Sequence, residues 1–237
     1  MKFFDHFHFK YVINLSSRKD RLTRVQKQFE KAGVLEQIKV FPGVVCDSRK
    51  GFPSEAARGC FLSHFEILKE AKEKKAESVL IMEDDLIFSE KLFKQQEILI
   101  DELEKQNWDM CYWSYCLKSK PKKAPKGVFL RKLCANERLT TTAFYSVHGS
   151  ALDRLIMFLE AMLKRPPGSP EGGPMPVDGA YNWYRKTYPG TTFISIPALG
   201  SQGSSRSDIT PDVFHKWPII STGIDILHGI KSKIFYN

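Results

Sequence analysis

The sequence predicts an α/β fold: one domain built on a mostly parallel central sheet with helices on both faces. Three observations predict it. Short continuous apolar runs alternate with longer segments whose apolar residues recur at helical spacing, the pattern of strand–helix–strand crossovers. The chain has 237 residues, 42% hydrophobic and 27% charged, enough for one sizeable core. Finally, one apolar run, "VLIM" (79–82), ends directly in three carboxylates, Glu83, Asp84 and Asp85. In an open α/β sheet, polar residues at strand ends are where ligands bind.

The elements follow in order. "KYVINL" (10–15) is a compact strand, and Leu22, Val25 and Phe29 then mark an amphipathic helix that Gly33 closes. "IKVFPGVV" (38–45) is a second strand. A helix over 54–76 starts at Ser54, a residue type that accepts from free first-turn N–H groups. "SVLIMEDD" is the third strand, and "FSEKLFKQQEILIDELEKQ" the helix after it. "WDMCYWSY" (108–115), "GVFLRKL" and "TTAFYSVH" read as strands, with a basic loop, "KSKPKKAPK" (118–126), after the first of them. Residues 149–163 form a helix, and 165–176 a Pro/Gly-rich loop. An Asp178-led helix, a strand over 191–199 and a polar loop complete the pattern.

Composition narrows the function. No apolar run approaches the roughly 20 residues of a membrane span, and charges interrupt the amino-terminal segment too often for a secretory signal. The five cysteines lack a CxxC pair, which argues against a disulfide framework or a zinc site and fits a reducing compartment. A net charge of +9 favours acidic partners. The one concentrated basic stretch, 118–126, has no aromatic partner for bases, so no nucleic-acid partner is expected.

Three polar clusters fall at strand ends: Asn14 with Arg18 and Arg21, the triplet Glu83–Asp85, and Ser146 with His148. Arginines at a helix start hold phosphates, and carboxylates at a neighbouring strand end hold a divalent cation that bridges them. Together they describe a nucleotide-diphosphate site. There is no GxGxxG or GxxxxGKS/T motif.

The blocks "VINLSSRKDR", "GCFLSH", "VLIMEDD", "FYSVHGSALDRLI" and "PVD…IPALGSQGSSRSDI" resemble glycosyltransferase family 25 in content and order. This family includes bacterial lipooligosaccharide sugar transferases and collagen galactosyltransferases. The resemblance implies a GT-A-like (Rossmann-like) fold, with a family core over about 10–209 and a carboxy-terminal extension over 210–237 of a single domain, 1–237. It implies an inverting transfer of a hexose, galactose or glucose, from a UDP-type nucleotide sugar to a hydroxyl of a glycan, glycolipid or glycoprotein, with Mn2+ or another divalent cation. The alternative is a catalytically inactive protein that binds nucleotide sugar or acts as a scaffold. A cytoplasmic location follows, with peripheral contact to an anionic membrane as an option.

Roles can then be assigned. Asp85 contacts the metal, with Asp84 as a second ligand or a ribose contact, and Glu83 braces the nucleotide. His215 is a third candidate metal ligand. Asn14, Arg18, Arg21, Ser63, His64, Gln202, Ser205 and Arg206 are the candidate donor-binding residues. Asp178 is the candidate base for the acceptor hydroxyl, with helix N-capping as its bland reading. Asp208 is the second candidate base. Trp108, Tyr112 and Trp113 read as core. Trp183 and Tyr184 read as core or as a stacking surface for an acceptor sugar.

Overall fold

A computed structural model describes residues 3–117 and 127–203. The basic stretch 118–126 and the segment 204–237, which includes the expected carboxy-terminal extension, lie outside the described residues.

The strands are β1 (Phe9–Asn14), β2 (Lys39–Pro42), β3 (Ser78–Glu83), β4 (Leu86–Phe88), β5 (Met110–Leu117), β6 (Leu130–Lys132), β7 (Leu139–His148), β8 (Thr192–Ser195) and β9 (Gly200–Gln202). The helices are α1 (Lys19–Ala32), α2 (Glu55–Glu73), α3 (Glu90–Glu104), α4 (Gly149–Lys164) and α5 (Val177–Thr187). Seven strands form one sheet in the order β2-β1-β3-β7-β5-β8-β6, and β4 pairs with β9 in a small second ribbon.

Strands β1, β2 and β3 are mutually parallel, as are β5 and β8. Strand β7 runs antiparallel between β3 and β5, and β6 is antiparallel to β8 at the edge. Most strands therefore point one way, as expected, but a reversed strand occupies the middle of the sheet.

The central strands alternate between two cores. Val79 and Ile81 of β3 face the layer of α2, α4 and α5, while Leu80 and Met82 face α1, α3 and the amino-terminal turn. Trp108, Tyr112 and Trp113 are buried, as the sequence suggested. Helix α1 buries Val25 and Phe29, and Gly33 ends it with φ of 69°, a conformation glycine adopts without strain. The Ser54 side chain accepts from the Ala57 N–H and opens α2.

Three local expectations need correcting. The second strand stops at Pro42, and Gly43–Cys46 leave it as irregular backbone. Residues 86–88 and 200–202 are strands rather than helix lead-in and loop, because each supplies the other's hydrogen-bond partners. Asp178 lies inside the first turn of α5, whose N-cap is Pro176. Among the described residues, no helix is long and apolar enough to cross a membrane.

Candidate active site

Parallel β1, β2 and β3 end on one side of the sheet, and their continuations wall a cavity of about 350 Å3. Ile13 and Leu15 come from the end of β1 and its exit, Gly43–Cys46 from the exit of β2, and Glu83–Asp85 from the end of β3 and its exit. Arg21, Gln202 and a face of α2 complete it. Placement beyond the carboxyl ends of parallel strands is where α/β folds bind ligands.

The three carboxylates have different surroundings. Asn14 Nδ2 donates to Asp84 Oδ2 at 2.7 Å, and Arg21 Nη1 donates to Asp84 Oδ1 at 3.1 Å. Both Asp84 oxygens are thus engaged. Glu83 Oε1 accepts from the Thr142 hydroxyl at 2.6 Å and lies 3.4 Å from His64 Nε2. Burial raises the Glu83 pKa, but His64, Thr142 and Arg21 more than reverse it, leaving the carboxyl below its usual range. Asp85 Oδ2 accepts from Gln202 Nε2 at 2.9 Å and lies 3.8 Å from Arg21 Nη1. Asp85 Oδ1 is buried with no hydrogen-bond partner. Burial, with the charges of Glu83 and Asp84, pushes Asp85 up to about 7 against the pull of Gln202 and Arg21.

That orphaned oxygen tests the fit of a divalent cation. A hard cation takes carboxylate oxygens together with a ligand's phosphates, and Asp85 Oδ1 is a buried carboxylate oxygen in a cavity wall with no hydrogen-bond partner. The residues fit such an ion, with Asp85 presenting it a buried oxygen that no hydrogen bond engages. Asp84 is already committed to Asn14 and Arg21.

Helix α2 forms the opposite wall. A Cβ on Gly59 would lie 2.3 Å from the Val44 carbonyl oxygen, so only glycine lets the β2 exit loop approach this closely. One turn on, the Ser63 hydroxyl donates to Gly59 O and accepts from the Val44 N–H, both at 2.8 Å. Ser63 therefore clamps the cavity lip. His64 is fully buried, with Nδ1 2.8 Å from the Tyr145 hydroxyl, which in turn contacts the Tyr181 hydroxyl at 2.8 Å.

A second cavity, of about 250 Å3, shares Cys60, Glu83 and Gln202 with the first. Asp178, Pro176, Val177 and Thr140–Thr142 supply much of its remaining wall. Asp178 Oδ1 accepts from the Gly179 N–H at 2.7 Å, a negative charge in the first turn of a helix, where the dipole favours it. Thr141 has φ of 74°, a strained conformation for a β-branched residue, next to an irregular stretch of the β5–β7 ladder. These threonines were not picked out from the sequence. They precede the run "AFYSVH" and reach the site only because β7 enters the sheet reversed.

The same reversal displaces Ser146 and His148. They close β7, which puts them beside Ser78 and Leu80, away from the carboxyl end of β3. Ser146 accepts from Trp113 Nε1, and His148 caps α4. Arg18 is not among the residues lining the cavity; its guanidinium pairs with Asp20 through Nε and Nη2, both at 3.1 Å. Tyr184 is buried core whose hydroxyl donates to Asp109, and Trp183 packs against the same core. Ser205, Arg206, Asp208 and His215 lie outside the described residues.

Comparisons with known proteins bear on the family and the fold. The sequence profile of glycosyltransferase family 25 (LPS biosynthesis protein) matches residues 7–148, more than half of the chain. Procollagen galactosyltransferase 1-B of Xenopus laevis is 32% identical over 124 residues, covering 43% of this chain and 20% of that protein. A glycosyltransferase 25 family member of Anopheles gambiae is 29% identical over 124 residues, covering 44% and 21%. The match thus spans about a fifth of the length of these relatives. Among solved structures, a glycosyltransferase involved in the glycosylation of the major capsid of PBCV-1 superposes with a TM-score of 0.51. That superposition covers 84% of this chain and 94% of the other at 13% identity, a likeness of fold. On the profile match and the order of its blocks, the chain belongs to glycosyltransferase family 25, on a GT-A-like fold.

Proposed function

We propose that this glycosyltransferase moves a hexose, with inversion, from a UDP-type nucleotide sugar to a hydroxyl of a glycan, glycolipid or glycosylated protein, using a divalent cation of the Mn2+ class. The names of the procollagen relatives support galactose over glucose. One observation carries the reading. A buried, unpartnered carboxylate oxygen, Asp85 Oδ1, lies in a cavity whose wall is shared with a second cavity holding another carboxylate, Asp178.

In this reading the first cavity takes the donor and the second the acceptor, and the sugar lies where they meet, at Glu83 and Gln202. Asp85 holds the cation, which when bound offsets the negative charge of the departing diphosphate. Asn14 and Arg21 keep Asp84 fixed, and Gln202 fixes the second oxygen of Asp85. The carboxylate of Asp178 accepts the proton of the acceptor hydroxyl as that oxygen attacks the anomeric carbon. Attack from the acceptor cavity, opposite the donor's diphosphate, inverts the configuration. Ser63 and Gly59 shape the donor wall without touching the reacting atoms.

The test is UDP release from UDP-galactose and UDP-glucose, with and without Mn2+, with the anomeric configuration of the product read by NMR. The expected result is Mn2+-dependent release that Asp85→Asn removes. If neither donor is bound or turned over, and Asp85→Asn changes nothing, the reading fails and a non-catalytic binding role takes its place. The net charge of +9 supports peripheral contact with an anionic membrane face, and vesicle co-sedimentation tests it.

A further inference from the structure

We propose that Cys60, His64 and Glu83 form a second metal site, for a thiophilic divalent ion of the zinc class and distinct from the cation site at Asp85. Cys60 and His64 are one helical turn apart on α2, so their side chains share a face. Glu83 reaches that face from the end of β3. Cys60 Sγ, a His64 ring nitrogen and a Glu83 carboxylate oxygen all lie within 4.8 Å of one another.

An independent observation points to a ligand. His64 is fully buried, yet its Nε2 has no hydrogen-bond partner. The 3.4 Å approach to Glu83 Oε1 lacks hydrogen-bond geometry. A buried ring nitrogen is costly to leave unsatisfied, and a metal bond satisfies it.

The surroundings are those of a metal-ligating histidine. Such a residue commonly has its other nitrogen held by a hydrogen bond that sets the tautomer and ring angle. Here Nδ1–H can donate to the Tyr145 hydroxyl at 2.8 Å, leaving the Nε2 lone pair for the ion. The Tyr145 hydroxyl can in turn donate a hydrogen bond to that of Tyr181. Glu83 is oriented in the same way by the Thr142 hydroxyl at 2.6 Å.

The donor set selects the metal. Sulfur, imidazole and one carboxylate suit Zn2+ or Co2+, whereas Mn2+ and Mg2+ prefer all-oxygen sites such as Asp85 with phosphates. On binding, the Cys60 thiol releases its proton to solvent as the sulfur–metal bond forms. Three protein ligands leave a fourth position open, and Cys60 and Glu83 belong to both cavities, so that position faces ligand space. The proposal does not depend on the transfer reaction, and its test needs no turnover.

The metal-free full chain is titrated with Co2+ and followed by absorbance. One equivalent should produce a near-ultraviolet thiolate-to-cobalt band with strong visible bands of tetrahedral Co2+, and Zn2+ should bleach both. Cys60→Ser should lose the thiolate band, while Asp85→Asn and the cavity-wall control Cys46→Ser should keep it. Tyr145→Phe retains the packed ring and removes only the hydroxyl; it should weaken Co2+ binding about 10- to 100-fold. Circular dichroism melts establish that each variant is folded. No thiolate band in the wild type, or a band undiminished in Cys60→Ser, overturns the proposal.

Discussion

Asp85→Asn should make the metal-free protein more stable while abolishing its response to cation and nucleotide. The carboxyl of Asp85 is pushed from 3.8 to about 7 by burial and by Glu83 and Asp84. Between about pH 4 and 7 the unfolded chain has lost this proton and the folded chain still holds it, so stability falls as pH rises through that window. The difference, roughly 3 units at about 1.4 kcal/mol each, sets an upper bound of about 4 kcal/mol above pH 7. Asparagine reproduces the neutral form and can still accept from Gln202. At pH 8, Asp85→Asn should therefore gain about 1–4 kcal/mol, at about 2–4 °C in Tm per kcal/mol for a chain of this length. The gain should shrink towards zero as pH approaches 4. The assay is calorimetry at pH 4, 6 and 8, repeated with Mn2+ and UDP, which should raise the wild-type Tm and leave the variant unmoved. A variant no more stable than wild type at pH 8, or one that Mn2+ and UDP still stabilise equally, would falsify the view that Asp85 is an electrostatic liability kept for a cation.

Other expectations follow from the same geometry. Asp178→Asn should lower kcat about 10^2- to 10^4-fold with donor KM unchanged; an equal rise in donor KM would place Asp178 in the donor cavity instead. Gly59→Ala puts a methyl group against the Val44 carbonyl, and should cost about 1–3 kcal/mol in chemical denaturation and weaken UDP binding. Unchanged UDP affinity would mean that the lip does not contact the donor. Glu70 accepts from Lys39, Lys74 and Tyr11 and is held down to about 2, chiefly by the two lysines. Its folded pKa is depressed, so its contribution is present above the unfolded value and lost as pH falls from about 4.5 to 2. Because the pair is largely solvent-screened, Glu70→Gln should flatten the acid limb of the stability curve by under about 1 kcal/mol.

Much of this arrangement could be read from the residues. Strand β3 and its acidic end were legible because Val79–Met82 is an unbroken apolar run, and burial on both faces demands one. The amino-terminal crossovers were legible because α1 and α2 carry helical periodicity, a glycine stop and a serine start. The direction of β7 was not. The direction of β7 depends on its partner strands β3 and β5, which lie earlier in the sequence, and its own residues do not encode it. From that one unreadable fact come the misplaced Ser146 and His148 and the unnoticed Thr140–Thr142. Strands β4 and β9 were also missed, since three residues carry too little periodicity to register. The part played by Ser63 was hidden for a different reason: its partner is the backbone of Val44, and side-chain identity does not report backbone approach.

The Gln202–Asp85 hydrogen bond also has a consequence during synthesis. The two residues are separated by 117 positions, and the Gly203 N–H bonds to the Asp85 carbonyl at 2.7 Å. Contacts of such long range close late, after the loop entropy between them has been overcome. A nascent chain can pair β1, β2 and β3 and present the acidic triplet well before β9 leaves the ribosome. Until then Asp85 lacks its bonds to Gln202 and Gly203, although Arg21 and Gln28 of α1 already approach the triplet and the strand after it. The acidic end of β3 is thus among the early parts of the protein to form, and its clasp is among the last.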